Sequence, residues 1–421
     1  MIGSGGRAFL VGGPVRDLLM GRTPRDWDVA TDFPPDEVLR VFPDASTVGA
    51  EFGRIQVGGV DVVSLRAESD YSDRRHPSRV VFGVSLLEDL KRRDFTINAM
   101  AAEFHELEVF DPFSGAEDLE RKVIRAVGEP LDRFSEDPLR VFRAIRFEAE
   151  LDMTLHPSVA AVLPEAAPFI VQVSGERIFA ELSRTLLSAE VRRGMSDMAA
   201  FGLARFALPE IFVGDASDVY LADKAGRSAS LAAPDLTTRL ALLFSVGGGL
   251  VSYDEKTAAC PLDDLLERAK AAFARFNLPS SMRRDVLWLL RNAGEGGFAG
   301  RAVASGEADG GYLARKLLDE AGWDQVRRLV DLERAAWEAS GRTGLPPHAA
   351  ILASGLQAES DDARFPIKLA LSGEDVMRTL GRSGPPVGEA LAYLKEVVLR
   401  DPRKNEVHLL EQALREWRRS P

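Results

Sequence analysis

The stretch Leu10-Val11-Gly12-Gly13-Pro14-Val15-Arg16-Asp17-Leu18-Leu19-Met20-Gly21, followed by Asp26-Trp27-Asp28, decides the fold of the first part of the chain. Arg7 to Val11 reads as a short buried strand. Gly12 and Gly13 permit a tight turn and close approach of a ligand to the backbone. Val15 to Met20 then reads as a helix, with Pro14 at its first turn. The amides at that N-terminus point over the turn, where phosphate is the natural ligand, and Arg16 adds a charged fork for the same oxygens. A second strand spans Trp27 to Ala30, entered through Asp26. Alternation along it turns Asp26 and Asp28 to one face.

A lone Gly-Gly is a turn, and a lone Asp-x-Asp is a solvated strand end. The order strand, glycine turn, helix, strand with paired carboxylates is more specific. It makes a site for Mg²⁺ and a nucleoside triphosphate. Nucleotidyl transfer needs that combination, because a 3′-hydroxyl attacks an α-phosphorus as pyrophosphate leaves, and two metals can serve both oxygens. Mg²⁺ takes hard oxygen ligands from a few carboxylates plus substrate phosphates. Asp26 and Asp28 are therefore candidate catalytic residues and metal ligands. Asp61, in the strand Val60 to Leu65, is either a third carboxylate or a polar residue on a half-exposed strand. The pattern leaves both open.

At 421 residues the chain is too long for one ordinary core. Up to about residue 128, short strands (Arg54 to Val57, Val60 to Leu65, Met100 to Phe104, Leu107 to Phe110, Val123 to Ala126) mix with short helices (Pro35 to Phe42, Leu86 to Lys91). From Ser135 onward helical patterns take over, beginning with one helix over Ser135 to Leu151. Val213 to Ser230, Gly294 to Gly311 and Ser340 to Pro347 read as loops or linkers, and no repeat of fixed period appears. The fold class is α+β: a mixed-sheet head followed by an all-α remainder.

Composition excludes several classes. Hydrophobic content of 45% with 28% charged is that of a soluble globular protein. No stretch approaches the ~20 apolar residues of a membrane span, and the N-terminus has no apolar signal core. A cytoplasmic protein is expected, with no membrane and no obligatory protein partner. Cys260 is the only cysteine, which excludes a disulfide framework and a cysteine-based zinc site. Five scattered histidines, none followed by Asp, give no metal-dependent phosphohydrolase pattern. A net charge of −12 argues mildly against nucleic acid as an average. Lys91-Arg92-Arg93 and the series Arg140, Arg143, Arg146 are nevertheless concentrated basic groups that favour a locally steered contact.

Three more stretches carry chemistry. In Leu90-Lys91-Arg92-Arg93-Asp94-Phe95-Thr96-Ile97-Asn98-Ala99-Met100, adjacent arginines offer phosphate contacts, and Asp94 and Asn98 offer acceptors for a ribose hydroxyl. A Lys-Arg-Arg run alone is usually a solvated face. In Glu136-Asp137-Pro138-Leu139-Arg140 and onward to Phe147, Asp137, Arg140, Arg143 and Arg146 recur every three residues, a row drifting slowly round one helix side at ~100° per residue. The bland account is an intrahelical Asp–Arg pair contributing tenths of a kcal/mol. The sharper account is a base reader. Adenine and cytosine present an amino donor beside a ring-nitrogen acceptor, which Asp137 and Arg140 complement; guanine and uracil make both contacts repulsive. Finally, Arg66 to Arg79, with Asp70, Arg74 and Arg75, is polar and lies between strands, as an exposed loop would.

Together these stretches resemble the polymerase-beta-like nucleotidyltransferases, in the spelling of the class II CCA-adding tRNA nucleotidyltransferase and bacterial poly(A) polymerase group. The resemblance is dense over residues 8 to 150 and continues through Gly175-Glu176-Arg177-Ile178-Phe179-Ala180-Glu181-Leu182. It returns weakly near Leu371 to Asp375, while residues 213 to 365 match nothing specific. It implies a head (1–128), a helical neck (129–205), a body (206–300) and a tail (301–421) that binds tRNA. It implies that Gly13, Arg16 and Arg93 hold the nucleotide, that Asp137 with Arg140 selects the base, and that Arg143 and Arg146 lie near the phosphates. The polar stretch becomes the family's flexible loop, which helps the site switch from cytosine to adenine. The implied substrates are CTP, ATP and the tRNA 3′ end. Many members carry a helix of about five turns before the first strand; here six residues precede Arg7, so the helix is either lacking or the start truncated. A poly(A) polymerase shares every head motif, and an enzyme adding only the terminal adenosine is a third reading. A catalytically silent RNA-binding protein is a reading of a different class, and a divalent-metal titration with CTP or ATP separates it.

Overall fold

A computed structural model of the chain describes residues 1–47, 53–71, 77–104, 108–251, 253, 260–307, 309–359 and 365–419. They form two compact units, Met1–Gly226 with Ala271–Leu278, and Arg227–Lys270 with Pro279–Pro421.

The first unit is built on a six-stranded mixed sheet. Its strands are β1 (Ala8–Val11), β2 (Asp28–Thr31), β3 (Arg54–Val57), β4 (Val60–Ser64), β7 (Ala101–Glu103) and β8 (Val109–Phe110), in the order β3-β4-β2-β1-β7-β8. β2 and β4 run parallel, with Asp28 opposite Asp61; β1 pairs antiparallel with β2 and β7. Phe9, Val11, Ala30, Leu65, Leu90, Ala99 and Val127 form the core beside the sheet. Gly12 turns β1 into helix α1 (Gly13–Leu19), with Pro14 in its first turn, as the sequence predicts. Helices α2 (Pro35–Val41) and α3 (Leu86–Lys91) also lie as expected. Ser85 caps α3 through a capping box with Glu88.

Two readings need correction here. The polar stretch 66–79 is not an open loop. Strands β5 (Arg66–Tyr71) and β6 (Pro77–Phe82) pair antiparallel from Arg66↔Phe82 to Tyr71↔Pro77. Backbone pairing satisfies the amides whatever the side chains are, and Val80-Val81-Phe82 favours extended chain. Asp70 lies in β5, while Arg74 and Arg75 lie outside the described residues.

The expected single helix over Ser135 to Leu151 is two: α5 (Pro130–Glu136) and α6 (Leu139–Leu151), after α4 (Gly115–Glu120). Pro138 disfavours helical backbone at the residue before it, and Asp137 sits extended at φ −137°, ψ 101°. A short parallel pair, β9 (Val123–Ile124) with β10 (Thr154–Leu155), follows, and helices α7 (Pro157–Ala166), α8 (Gly175–Leu187) and α9 (Val191–Ala200) complete this region.

Among the described residues, every regular element of the second unit is a helix. The segment Gly310–Ala339 breaks at Gly322 (φ 77°, ψ 173°), which divides it into two helices. Towards the end of the chain, Val376, Leu380, Leu394, Val398, Leu410 and Leu414 bring three helices, Gly373–Leu380, Pro385–Arg400 and Val407–Arg419, onto one core. Two predicted loops contain helices, Ser217–Leu231, which spans the boundary of the two units, and Phe298–Ala304, while the helix Pro347–Ala358 begins where the third predicted loop ends. In the first, Ala222, Ala225 and Ala229 are buried at helical spacing, a small-residue face that composition alone reads as linker. Among the described residues no helix is long and apolar enough to cross a membrane.

Candidate active site

A cleft of about 650 Å³ in the first unit gathers nearly every residue singled out by the sequence. Its floor is the end of β1 and β2. Gly12 has φ 74°, which only glycine adopts without strain, and a Cβ there would meet the Arg93 guanidinium at 2.5 Å. The glycine turn is thus the condition for Arg93 to lie against it. Gly13 opens α1 and lines the cleft beside Asp26 and Asp28.

The strand carrying the carboxylates starts at Asp28, so Asp26 lies outside it and strand alternation does not relate the two. Asp28 is the first residue of β2 and half-buried, whereas Asp26 is exposed on the preceding loop. Both still line the cleft. Burial pushes the Asp28 carboxyl above its ordinary range; Arg93 works against the rise, and Asp61 and Asp26 add to it. The parallel register sets Asp61 on the strand beside Asp28. One Asp61 oxygen takes a 2.6 Å bond from Arg54, and the other, Oδ1, is buried without a hydrogen-bond partner among the described residues. Among the same residues no three carboxylate, histidine or cysteine side chains form a closed metal cage. Two cleft carboxylates, with an orphaned buried oxygen on a third, nevertheless suit a divalent cation that completes its shell with water and phosphate oxygens.

The opposite wall is guanidinium. Asp89, almost fully buried in α3, holds both Arg92 (2.8 Å) and Arg93 (3.2 Å). Burial works to raise the Asp89 carboxyl, and the two arginines overcome it and hold it low. Arg16 is bound by Asp17 (2.7 and 2.9 Å) and donates to Asn98 Oδ1 at 2.7 Å. Asn98 in turn donates to Asp94 (3.2 Å), which accepts from Arg143 at 2.6 Å. Burial alone would raise Asp94; Arg143 and Arg140 hold it down to about 2. Asp94 and Asn98 therefore connect the arginines of α1 and α6. Arg146, fully buried, is clamped between Glu181 and Glu150. The Phe147 ring lies against the guanidiniums of Arg16, Arg143 and Arg146, at 5.3, 5.2 and 3.8 Å.

Asp137 and Arg140 both line the cleft, but their side chains do not pair with each other among the described residues; the Arg140 amide donates to the Asp137 carbonyl at 3.0 Å. Asp137 Oδ1 accepts from the Leu139 amide (3.1 Å), and Oδ2 accepts from Arg177 (2.9 Å). Arg140 binds Glu136 at 2.9 Å and the carbonyls of Arg92 and Arg133 at 2.9 and 3.2 Å. The intrahelical pair is thus excluded, because Pro138 keeps Asp137 out of α6. Asp89, Glu136, Arg177 and Glu181 are the partners that sequence reasoning missed. Asp89 and Glu136 stand at helical i,i+3 or i,i+4 spacing from the arginines they bind, a signal the sequence does carry, whereas for Arg177 and Glu181 the signal is that a run of arginines needs buried counter-charges somewhere.

Residues 8–125 match the model of the Poly A polymerase head domain, and residues 152–213 match that of the probable RNA and SrmB-binding site of polymerase A. The chain is 32% identical to the CCA-adding enzyme of Geobacillus stearothermophilus over 98% of its own length and 94% of that protein. It is 41% identical to the CCA-adding enzyme of Lacticaseibacillus paracasei, over 48% of this chain, so that match spans about half (52%) of the curated relative. The solved Bacillus stearothermophilus CCA-adding enzyme in complex with CTP superposes with a TM-score of 0.73 at 29% identity, covering 99% of this chain and 95% of that one.

Proposed function

This chain belongs to the CCA-adding enzyme family, and we propose that it is a tRNA nucleotidyltransferase that adds C, C and A to the tRNA 3′ end from CTP and ATP, without a nucleic-acid template and with release of pyrophosphate. The single observation that carries this reading is that one cleft holds the Asp26 and Asp28 carboxylates, the glycine turn with Arg93, and the separately braced Asp137 and Arg140. In this proposal Asp26 and Asp28, with Asp61 beside them, hold Mg²⁺. When bound there, the metal supplies activation of the attacking 3′-oxygen and neutralisation of the leaving pyrophosphate.

The chain's own residues do the rest. Gly13, Arg16 and Arg93 receive the triphosphate, Arg16 and Arg93 as charged donors already fixed by Asp17, Asn98 and Asp89. Asp94 and Asn98 face the sugar and keep Arg143 in place. Arg143 and Arg146 add positive potential beneath the phosphates. Asp137 accepts from the amino group of cytosine or adenine, and Arg140 donates to the ring nitrogen. Residues 70–75, with Asp70, Arg74 and Arg75, govern the change from cytosine to adenine. The division into head, neck, body and tail, with tRNA held by residues 301–421, and a cytoplasmic site of action belong to the same proposal.

The test is incubation of tRNA lacking its 3′ terminus with CTP alone, ATP alone and both, resolved at single nucleotides. Two additions with CTP and a third only with ATP present support the proposal. Long adenosine tracts make the protein a poly(A) polymerase, and A added only to ends already carrying CC makes it the terminal-adenosine enzyme. No incorporation with any divalent metal leaves a silent RNA-binding protein.

A further inference from the structure

We propose that Arg177 is a specificity-determining positioning residue, which sets the direction in which Asp137 accepts a hydrogen bond from the incoming base. The inference rests on the base-reader role given above to Asp137 and Arg140.

The two readers are braced very differently. Arg140 is gripped by three acceptors from two other segments, so its guanidinium plane is determined without Asp137. Asp137 belongs to neither flanking helix. One oxygen is tied to the local Leu139 amide, which by itself leaves the carboxylate free to turn about that bond. The second donor, Arg177 at 2.9 Å, removes that freedom. Arg177 comes from a fixed frame. At the start of α8, a Cβ on Gly175 would meet the Arg275 carbonyl oxygen at 2.0 Å, so only glycine lets the two segments touch. Asn277 donates to Glu176 at 2.8 Å, and Phe179 stacks on Phe276 at 5.4 Å. Arg275 is itself held by both oxygens of Glu210, at 2.9 and 2.8 Å.

The chemistry follows from that frame. A carboxylate aimed at the amino group of cytosine or adenine also repels the carbonyl at the same position in uracil or guanine. If the carboxylate turns away, attraction and repulsion fade together. Discrimination is then lost while the reacting groups stay in place.

The experiment measures kcat and KM for CTP, UTP, ATP and GTP on one tRNA substrate, for wild type, R177A, R177K, D137A and the double variant, with Tm for each. The expected result for R177A is a loss of about tenfold in the CTP:UTP and ATP:GTP ratios of kcat/KM, carried mainly by KM. R177K restores part of the ratio, and the double variant is no less selective than D137A, because both act through one carboxylate. An equal loss for all four nucleotides in R177A overturns the proposal, as does a further tenfold fall in the double variant. Should R177A not fold, R177K and R177Q decide: wild-type ratios in both overturn it. Relaxed ratios in D137A with unchanged ratios in the Arg177 variants sink this inference alone. Unchanged ratios in D137A sink the base-reader reading beneath it.

Discussion

The two walls of the cleft handle charge in opposite ways. On the sheet wall the carboxylates are short of partners: Asp61 Oδ1 is buried and unbonded among the described residues, and burial raises the Asp28 carboxyl. On the helix wall the arginines of α6 are paired from within: Arg146 lies between Glu181 and Glu150, Arg143 on Asp94, Arg140 on Glu136, while Arg93 keeps a buried Nε without a hydrogen-bond partner among the described residues. The first wall is suited to a cation from outside, as the proposed function requires. The second is preorganised, its charges placed before any ligand arrives, so little reorganisation accompanies binding. Function is therefore expected to fail first at the sheet wall and stability first at the helix wall.

The largest break should come from Asp26→Ala or Asp28→Ala. Losing a metal ligand forfeits several kcal/mol of transition-state stabilisation, about a thousandfold in rate. Relief of crowding among carboxylates leaves Tm unchanged or higher. Near-normal turnover with Mg²⁺ in either variant would move the metal site elsewhere. Next, Arg146→Ala leaves two carboxylates facing an empty site and should cost about 3–5 kcal/mol in denaturant unfolding. A loss under about 1 kcal/mol would mean that Arg146 is kept for the ligand and not for the fold.

Asp137→Ala should relax base choice about ten- to a hundredfold in the CTP:UTP and ATP:GTP ratios. Equal loss for all four nucleotides would leave Asp137 a structural role alone. The smallest effect lies on the back of α6. Glu148 is raised by burial and by its contact with Asp197, so the native state holds a proton that the unfolded state has released. With the folded value above the unfolded one, stability falls as pH rises from the ordinary carboxylate range towards neutrality. Glu148→Gln should flatten that decline in Tm measured from about pH 5 to pH 8; an unaltered slope would place its cause elsewhere.

Much of the head was legible because its signals are local. A glycine turn between a strand and a proline-opened helix has one geometry, and Gly12 with α1 follows it. The break at Asp137 was equally local, since proline restrains the residue before it, but the three-residue spacing of the arginines suggested one continuous helix instead. The Ser217–Leu231 helix was hidden because alanine and serine serve helices and linkers alike. The strand pair at 66–82 was hidden because its sequence is polar while its stability comes from the backbone.

By itself the sequence determined the α+β division, the glycine turn, and the short stretches that bring Gly13, Asp26, Asp28, Arg93, Asp137 and Arg140 to one cleft. Each depends on torsional preference or on spacing along a few residues. Only the tertiary structure decided who partners whom: Asp61 beside Asp28, Asp94 under Arg143, Arg177 on Asp137 across 40 residues. Those pairs join segments distant along the chain, and a buried charge accepts any counter-charge that packing brings within reach. The pattern of residues announces the need for such a partner, and the fold chooses it.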